Sequence, residues 1–188
     1  MLMSVPNAAE RMKTTFLSID TKKIREVSDK MYITYKKLTE CELDTFIEMR
    51  IKQLREEGAT EEYDLAPNLK AYYNRHMSDG TFVAWLAMDG DNIIGTSGMS
   101  FVEKPPYFGC PSGKIGLLSS MFTSPDYRRK GIAKELLSRV VREAKEYGCG
   151  TVQITASDMG VKLYTDFGFK HNENFMYYNP CGRENPRF

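Results

Sequence analysis

A surplus of charge of one sign is what this sequence lacks most plainly: 26 Lys and Arg stand against 25 Asp and Glu over 188 residues, a net charge of +1. No global field then draws it to DNA or to an anionic membrane surface, so no nucleic acid and no membrane are expected as partners. Long apolar runs are missing too. None approaches the ~20 residues that cross a bilayer, and the N-terminus carries charges without a hydrophobic signal core. Metal-ligating side chains are scarce and scattered. His76 and His171 have no ligand-like neighbour, and Cys41, Cys110, Cys149 and Cys181 lie far apart with no C-x-x-C. Metal catalysis is therefore not expected, and free thiols fit a cytoplasmic protein.

What the chain does have is material for a core, with 41% hydrophobic and 12% aromatic residues, enough for one domain. Residues 1–30 lack a clean period, although Met12, Phe16, Ile19, Ile24 and Val27 suit a helix, and they read as an N-terminal extension. A domain over 31–180 follows, then a tail at 181–188. "MYITYKKLT" alternates like a strand, and Thr39 caps a helix in which Leu43, Phe46, Ile47, Ile51 and Leu54 recur until Gly58. Asn68 to Ser78 reads as a second helix. "TFVAWLAM" and "NIIGTSGMSFV" are strands joined by "DGDN", a hairpin signal. "EKPPYFGCPSG" is a loop that carries Tyr107 and Phe108.

"KIGLLSSMFT" is the next strand, stopped by Pro125, and a helix from Gly131 to Tyr147 aligns Ile132, Leu136, Leu137, Val140, Val141 and Ala144 before Gly148. "TVQIT" reads as a buried strand, Asp158 to Asp166 as a short helix, and "FKHNENFMYY" as a final strand or hairpin. That order describes a mixed α/β sheet with helices on its faces.

Between the strand and the longest helix, Arg128, Arg129 and Lys130 stand directly before Gly131. Like charges repel, and a helix start favours acidic groups because its N–H ends carry partial positive charge. An anion is expected there, unless the turn is simply solvated. A strand feeding a helix through such a turn offers unpaired N–H groups to phosphate, Gly131 permits close approach, and Ala133 keeps the next turn small. Neither G-x-x-x-x-G-K-[ST] nor G-x-G-x-x-G occurs in the chain, so ATP and dinucleotide loops are excluded.

The R-x-x-G-x-A run from Arg128 to Ala133 resembles motif A of the GNAT superfamily of acyl-CoA-dependent N-acyltransferases. "ASDMGVKLYTDFGF" is similar to that family's next stretch, with Y-x-x-x-G-F from Tyr164 to Phe169. The similarity of element order covers Met31 to about Pro180. The resemblance implies a GNAT-like mixed, mostly antiparallel central sheet with helices on both faces, and acetyl-CoA as co-substrate. It implies that the backbone of Met121, Phe122 and Thr123 binds the pantetheine amides. Arg129, Lys130, Gly131, Ile132, Ala133 and Lys134 would wrap the pyrophosphate with main-chain N–H groups, and Arg128 holds the motif's first position. Ser157 stands where many relatives have Asn, and Tyr164 would protonate the departing thiolate. The implied acceptor is a primary amine of a small molecule or peptide, and the analogy leaves room for a homodimer.

A thioester is attacked only by a neutral amine, so such a site must take a proton, align two centres and quench a thiolate. The strands "KIGLLSSMFT" and "TVQITA" hold no carboxylate. A base acting through water, Glu103, or the acidic segment with Glu56, Glu57, Glu61, Glu62 and Asp64 remain open, the last serving equally as a solvated face. Tyr72, Tyr73, Tyr107 and Phe108 either wall an acceptor pocket or cover the sheet. Acceptor pockets in this fold come from variable loops, here the link after the first helix and Glu103 to Gly113. A tyrosine rather than a Cys–His pair in the key position implies direct transfer in a ternary complex. The alternatives are an acyl-CoA sensor without turnover, and a different acyl donor selected by the volume beside Phe122.

Overall fold

A computed structural model describes residues 32–60 and 63–172, together with Met176, Tyr178 and Pro180. The expected extension at 1–30 and the tail at 181–188 lie outside the described residues.

The elements run β1 (Ile33–Lys37), a single 3-10 turn (Glu40–Glu42), α1 (Leu43–Glu56), α2 (Ala66–Ser78), β2 (Phe82–Asp89), β3 (Asn92–Glu103), β4 (Lys114–Thr123), a second 3-10 turn (Pro125–Tyr127), α3 (Ile132–Tyr147), β5 (Thr151–Gln153) and α4 (Asp158–Phe167). The strands lie in the order β1-β2-β3-β4-β5. The first four are antiparallel, and β5 is parallel to β4. The mixed, mostly antiparallel sheet is therefore as expected.

Period-2 patterning explains why this sheet is covered twice. Phe82, Ala84, Leu86 and Met88 of β2 pack with Phe46 and Ile47 of α1 and Tyr73 of α2. On the other face, Met99, Phe101 and Leu118 pack with Leu137, Val140 and Ala144 of α3. Leu86, Leu136, Leu137 and Val140 are fully buried, each worth about 1.5–3 kcal/mol of transfer free energy. Leu137→Ala, which would open a cavity between α3 and the sheet, should cost about 2–5 kcal/mol.

Two irregularities of β4 place the site. The first is a splay. β5 pairs with β4 only from Ile115 to Leu117, while β4 runs on to Thr123, so beyond Leu117 one edge of β4 has no strand beside it among the described residues. The second is a bulge. Thr96 pairs with Phe122 and Gly98 with Ser119, so Ser97 alone faces Ser120 and Met121. Ser120 takes a left-handed φ of 53°. It is held there by Thr96 Oγ1, which donates to its carbonyl at 2.8 Å, and by the Tyr73 hydroxyl, 3.3 Å from its own Oγ.

Three local expectations need correction. "TVQIT" is strand only over Thr151–Gln153 and is half-buried or exposed, because the splay removes its partner after three residues. Phe169 to Asn172 form no strand, and most of the segment after them lies outside the described residues. Thr39 caps the 3-10 turn ahead of α1 rather than α1 itself, in a capping box with Glu42.

Candidate active site

The open edge of β4 forms one wall of a cleft of about 750 Å³. The start of α3 and Met159, Gly160, Leu163 and Tyr164 of α4 line it, and so does the C-terminal half of α1. Every residue predicted for the site lines this cleft except Lys130, whose ammonium instead sits 5.1 Å from the centre of the Tyr127 ring.

At one end of the cleft, Gly131 is the N-cap of α3 with φ 83°, and no side chain caps the helix. The N–H groups of Ile132, Ala133 and Lys134 therefore have no partner inside the helix. Arg129 also adopts a positive φ, 62°, which costs a non-glycine residue about 1–2 kcal/mol. Two left-handed residues within three positions curl the backbone as anion-binding turns do. Arg128 does something different from its neighbours. Its Nε donates to the carbonyl of Thr123 at 3.0 Å, its Nη2 meets Glu56 Oε2 at 2.5 Å, and its guanidinium lies 5.9 Å from the Phe122 ring centre. One of the three crowded cations thus ties the end of β4 to α1, with its charge neutralised. The hydroxyl of Thr123, buried at the cleft wall, has no hydrogen-bond partner among the described residues.

At the other end, Tyr164 is 7% exposed, and its ring meets Phe169 edge-on at 5.7 Å. Its hydroxyl makes no hydrogen bond among the described residues. Burial, and then the charge of Glu57, push its pKa well above the ordinary phenol value. The phenol is therefore held neutral. It is also a weaker acid than an alkyl thiol of pKa about 8.5, so it suits donating a hydrogen bond to a thiolate better than surrendering its proton outright. Ser157 is the N-cap of α4, and its carbonyl accepts from Gly160 and Val161 at 2.8 and 3.1 Å. Its side chain caps no helix N–H.

Sequence reading missed Arg50 and Gln53 of α1, which line the cleft together with Glu56 and Glu57, two of the acids left open as a base. Arg50 Nη1 donates to Gln53 Oε1 at 3.0 Å, and Gln53 Nε2 donates to Glu57 Oε1 at 3.1 Å. The signal was present in the helical period, because Arg50 and Gln53 fall four and seven positions after Phe46, on the apolar face. Gly160 was also missed, although it lines the cleft four residues before Tyr164 and abuts its ring.

Other candidates lie elsewhere. Glu103 pairs across the strands with Lys114, and no residue from Glu103 to Gly113 lines the cleft. Tyr107 and Phe108 are exposed. Tyr73 covers the sheet against Phe46 and Phe82, and Tyr72 bonds Ser100 at 2.9 Å. His76 bonds Thr81 outside the cleft. No group that could hold a metal ion occurs among the described residues, and none of their helices is long and apolar enough to cross a membrane.

Comparison with known proteins bears on this geometry. A crystal structure of a predicted acetyltransferase with acetyl-CoA, from Clostridium acetobutylicum, superposes with a TM-score of 0.76 at 29% identity, covering 79% of this chain and 96% of that one. The Bacillus subtilis protein named uncharacterized N-acetyltransferase YsnE is 29% identical over 99 residues, which is 50% of this chain and 60% of that protein. Rat N-acetyltransferase 8B is 33% identical over 117 residues, 60% of this chain and 49% of that protein. The match thus spans only about half to three-fifths of the length of these two relatives. The acetyltransferase (GNAT) family model matches residues 43–169, from the start of α1 through the end of the Y-x-x-x-G-F run, so both the basic turn and Tyr164 fall inside it, and the chain belongs to the GNAT acetyltransferase family.

Proposed function

We propose that the protein moves an acetyl group from acetyl-CoA directly to a primary amine of a small molecule or peptide within a ternary complex. The observation that carries this reading is the meeting, in one cleft, of an unpaired strand edge, an uncapped helix start and a buried neutral phenol. Each matches one part of a long thioester. The backbone of Met121, Phe122 and Thr123 pairs with the pantetheine amides as an added strand would, and the orphan Thr123 hydroxyl adds a further polar group there. The N–H groups from Arg129 to Lys134 take the pyrophosphate.

Glu57 is the carboxylate best placed to accept the proton of the acceptor's ammonium, because it lines the cleft and its charge acts on Tyr164. The freed amine attacks the thioester carbonyl, the C–N bond forms, and the C–S bond breaks as Tyr164 donates a hydrogen bond to the sulfur. The proton still carried by the nitrogen passes to the thiolate, giving amide and thiol. No cysteine or histidine among the described residues lines the cleft, which agrees with transfer in one step rather than through a covalent intermediate.

The test is thermal shift followed by turnover. Acetyl-CoA at 100 times its Kd should stabilise the fold by about 2.7 kcal/mol while NAD and ATP do little, and CoA release with a panel of amines, read with a thiol reagent, should be acceptor-dependent. Equal stabilisation by ATP would refute the ligand assignment. Tight acetyl-CoA binding with no release would turn the reading to a sensor.

A further inference from the structure

Arg50 brings a cation into the cleft from α1, and it is half-buried there. Among the described residues its one polar partner is the neutral amide of Gln53. Arg128 differs, because Glu56 neutralises it. A guanidinium has five donors, and leaving it partly desolvated without an anion is costly. The charge of Arg50 is felt by the Tyr73 hydroxyl, which bonds Ser120 at the bulge of β4.

The α1 wall is polarised. Gln53, 6% exposed, is held between Arg50 and Glu57 and fixes both side chains. The two charges sit seven positions apart, one on α1 and one at its C-cap, about 10 Å along the axis, and the charge of Glu57 acts on Tyr164. An acceptor that sets its amine at Glu57 and Tyr164 therefore extends along α1 toward an unneutralised guanidinium.

Resting on the reading of this cleft as an acetyltransferase site, we propose that the acceptor is zwitterionic: an amine that also bears a carboxylate, which pairs with Arg50. The planar guanidinium suits a carboxylate through two parallel hydrogen bonds. Gln53 is the positioning residue that keeps the two charges apart and prevents their mutual neutralisation.

The experiment compares matched pairs of acceptors, 3-aminopropanoate and 4-aminobutanoate against their carboxamides, in the CoA-release assay with the full chain. The carboxylates should be preferred roughly 10- to 100-fold in kcat/KM, the range of a hydrogen bond to a charged partner. Arg50→Met should collapse the difference within each pair, Arg50→Lys should restore part of it, and the KM for acetyl-CoA should stay where it was. Carboxamides used as well as carboxylates, or an Arg50→Met variant whose KM rises for acetyl-CoA instead, would overturn the proposal while leaving the acetyltransferase reading intact. Should no amine release CoA, that reading fails. Calorimetric titration of the same pairs onto the CoA-bound protein then decides the Arg50 assignment, equal affinities refuting it.

Discussion

Gly160 offers a direct test of whether the position of the Tyr164 ring matters. A Cβ at Gly160 would stand 2.7 Å from Cε2 of Tyr164, about 1 Å inside ordinary contact between carbons. The ring is what must give way, against its own packing, since it is 7% exposed and backed by Phe169. In Gly160→Ala the ring should therefore move by about 1 Å, and its hydroxyl with it. Misplacement of that size at a reacting centre costs on the order of 10²-fold. The backbone effect has the opposite sign. Ala in place of Gly in a helix gains about 1 kcal/mol, and Gly160 lies in the first turn of α4. Contact strain opposes that gain, so the fold should survive.

The expected signature is a kcat lowered roughly 10- to 100-fold, with the KM for acetyl-CoA and the melting temperature little changed. CoA-release kinetics and a thermal melt of the same preparation measure all three. A kcat at the wild-type level would refute the reasoning, because either the ring slides freely or its hydroxyl takes no part. A melting temperature lowered by 10 °C with kcat intact would show that strain was relieved by the helix instead.

Tyr164→Phe should lower kcat by roughly 10²–10⁴ with CoA affinity nearly unchanged, the range for a lost proton or hydrogen-bond donor at the reacting atom; steady-state kinetics decide it. Because burial and Glu57 raise the Tyr164 pKa, the neutral phenol persists as pH rises past the ordinary phenol value. Glu57→Gln should move its ionisation to lower pH, visible as the ultraviolet titration difference between backgrounds with and without Tyr164→Phe. Glu56→Gln tests the role of Arg128. If Arg128 braces β4 against α1, losing its carboxylate should raise the KM for acetyl-CoA, whereas a phosphate-binding Arg128 released from Glu56 would lower it. Lys36, with help from Thr39, lowers the Glu42 carboxyl from 4.5 to about 2. Its stabilising effect is full above the ordinary carboxylate range and lost as pH falls through about 2, so Glu42→Gln should flatten stability over that window. Gln there can still accept from the Thr39 N–H, so the capping box survives, and acid-titrated melts should register mainly the lost pH dependence.

How far the site was legible follows from how its parts are distributed along the chain. Arg128 to Lys134 are contiguous, and the strand, turn and helix that make the proposed anion pocket are local events. A strand stopped by Pro125, a left-handed Gly131 and an apolar stripe from Ile132 to Ala144 each leave a mark in the text. The splay of β4 and β5 leaves none, because it depends on where a strand's partner gives out rather than on the strand. "TVQIT" has residues fit for a longer β5 than the three-residue strand that forms. The bulge is similarly silent, since Ser120 becomes left-handed only because Thr96 and Tyr73 hold it. Glu103 and Gly113 bound the most loop-like segment of the chain, yet that segment folds on itself through Lys104, Tyr107, Cys110 and Gly113 and stays clear of the cleft.

The basic turn itself divides its labour in a way that composition hides. Arg128, Arg129 and Lys130 look equivalent on the page, and their mutual repulsion is the reason to expect an anion. In the fold, Arg128 is cancelled by Glu56, and Lys130 rests over Tyr127. What is left to meet a phosphate is the left-handed backbone at Arg129 and Gly131 and the uncapped N–H groups after it, together with the side chains of Arg129 and Lys134. Backbone donors held in place by a helix need no reordering when a ligand arrives, whereas flexible lysine and arginine side chains lose rotamer freedom at each contact. Cancelling one of the three cations and laying another over an aromatic ring, while curling the main chain, therefore favours recognition by shape over attraction by charge. It follows that acetyl-CoA affinity should depend only weakly on ionic strength for a ligand so highly charged, and a steep decline of affinity with salt would place the recognition back on the side chains.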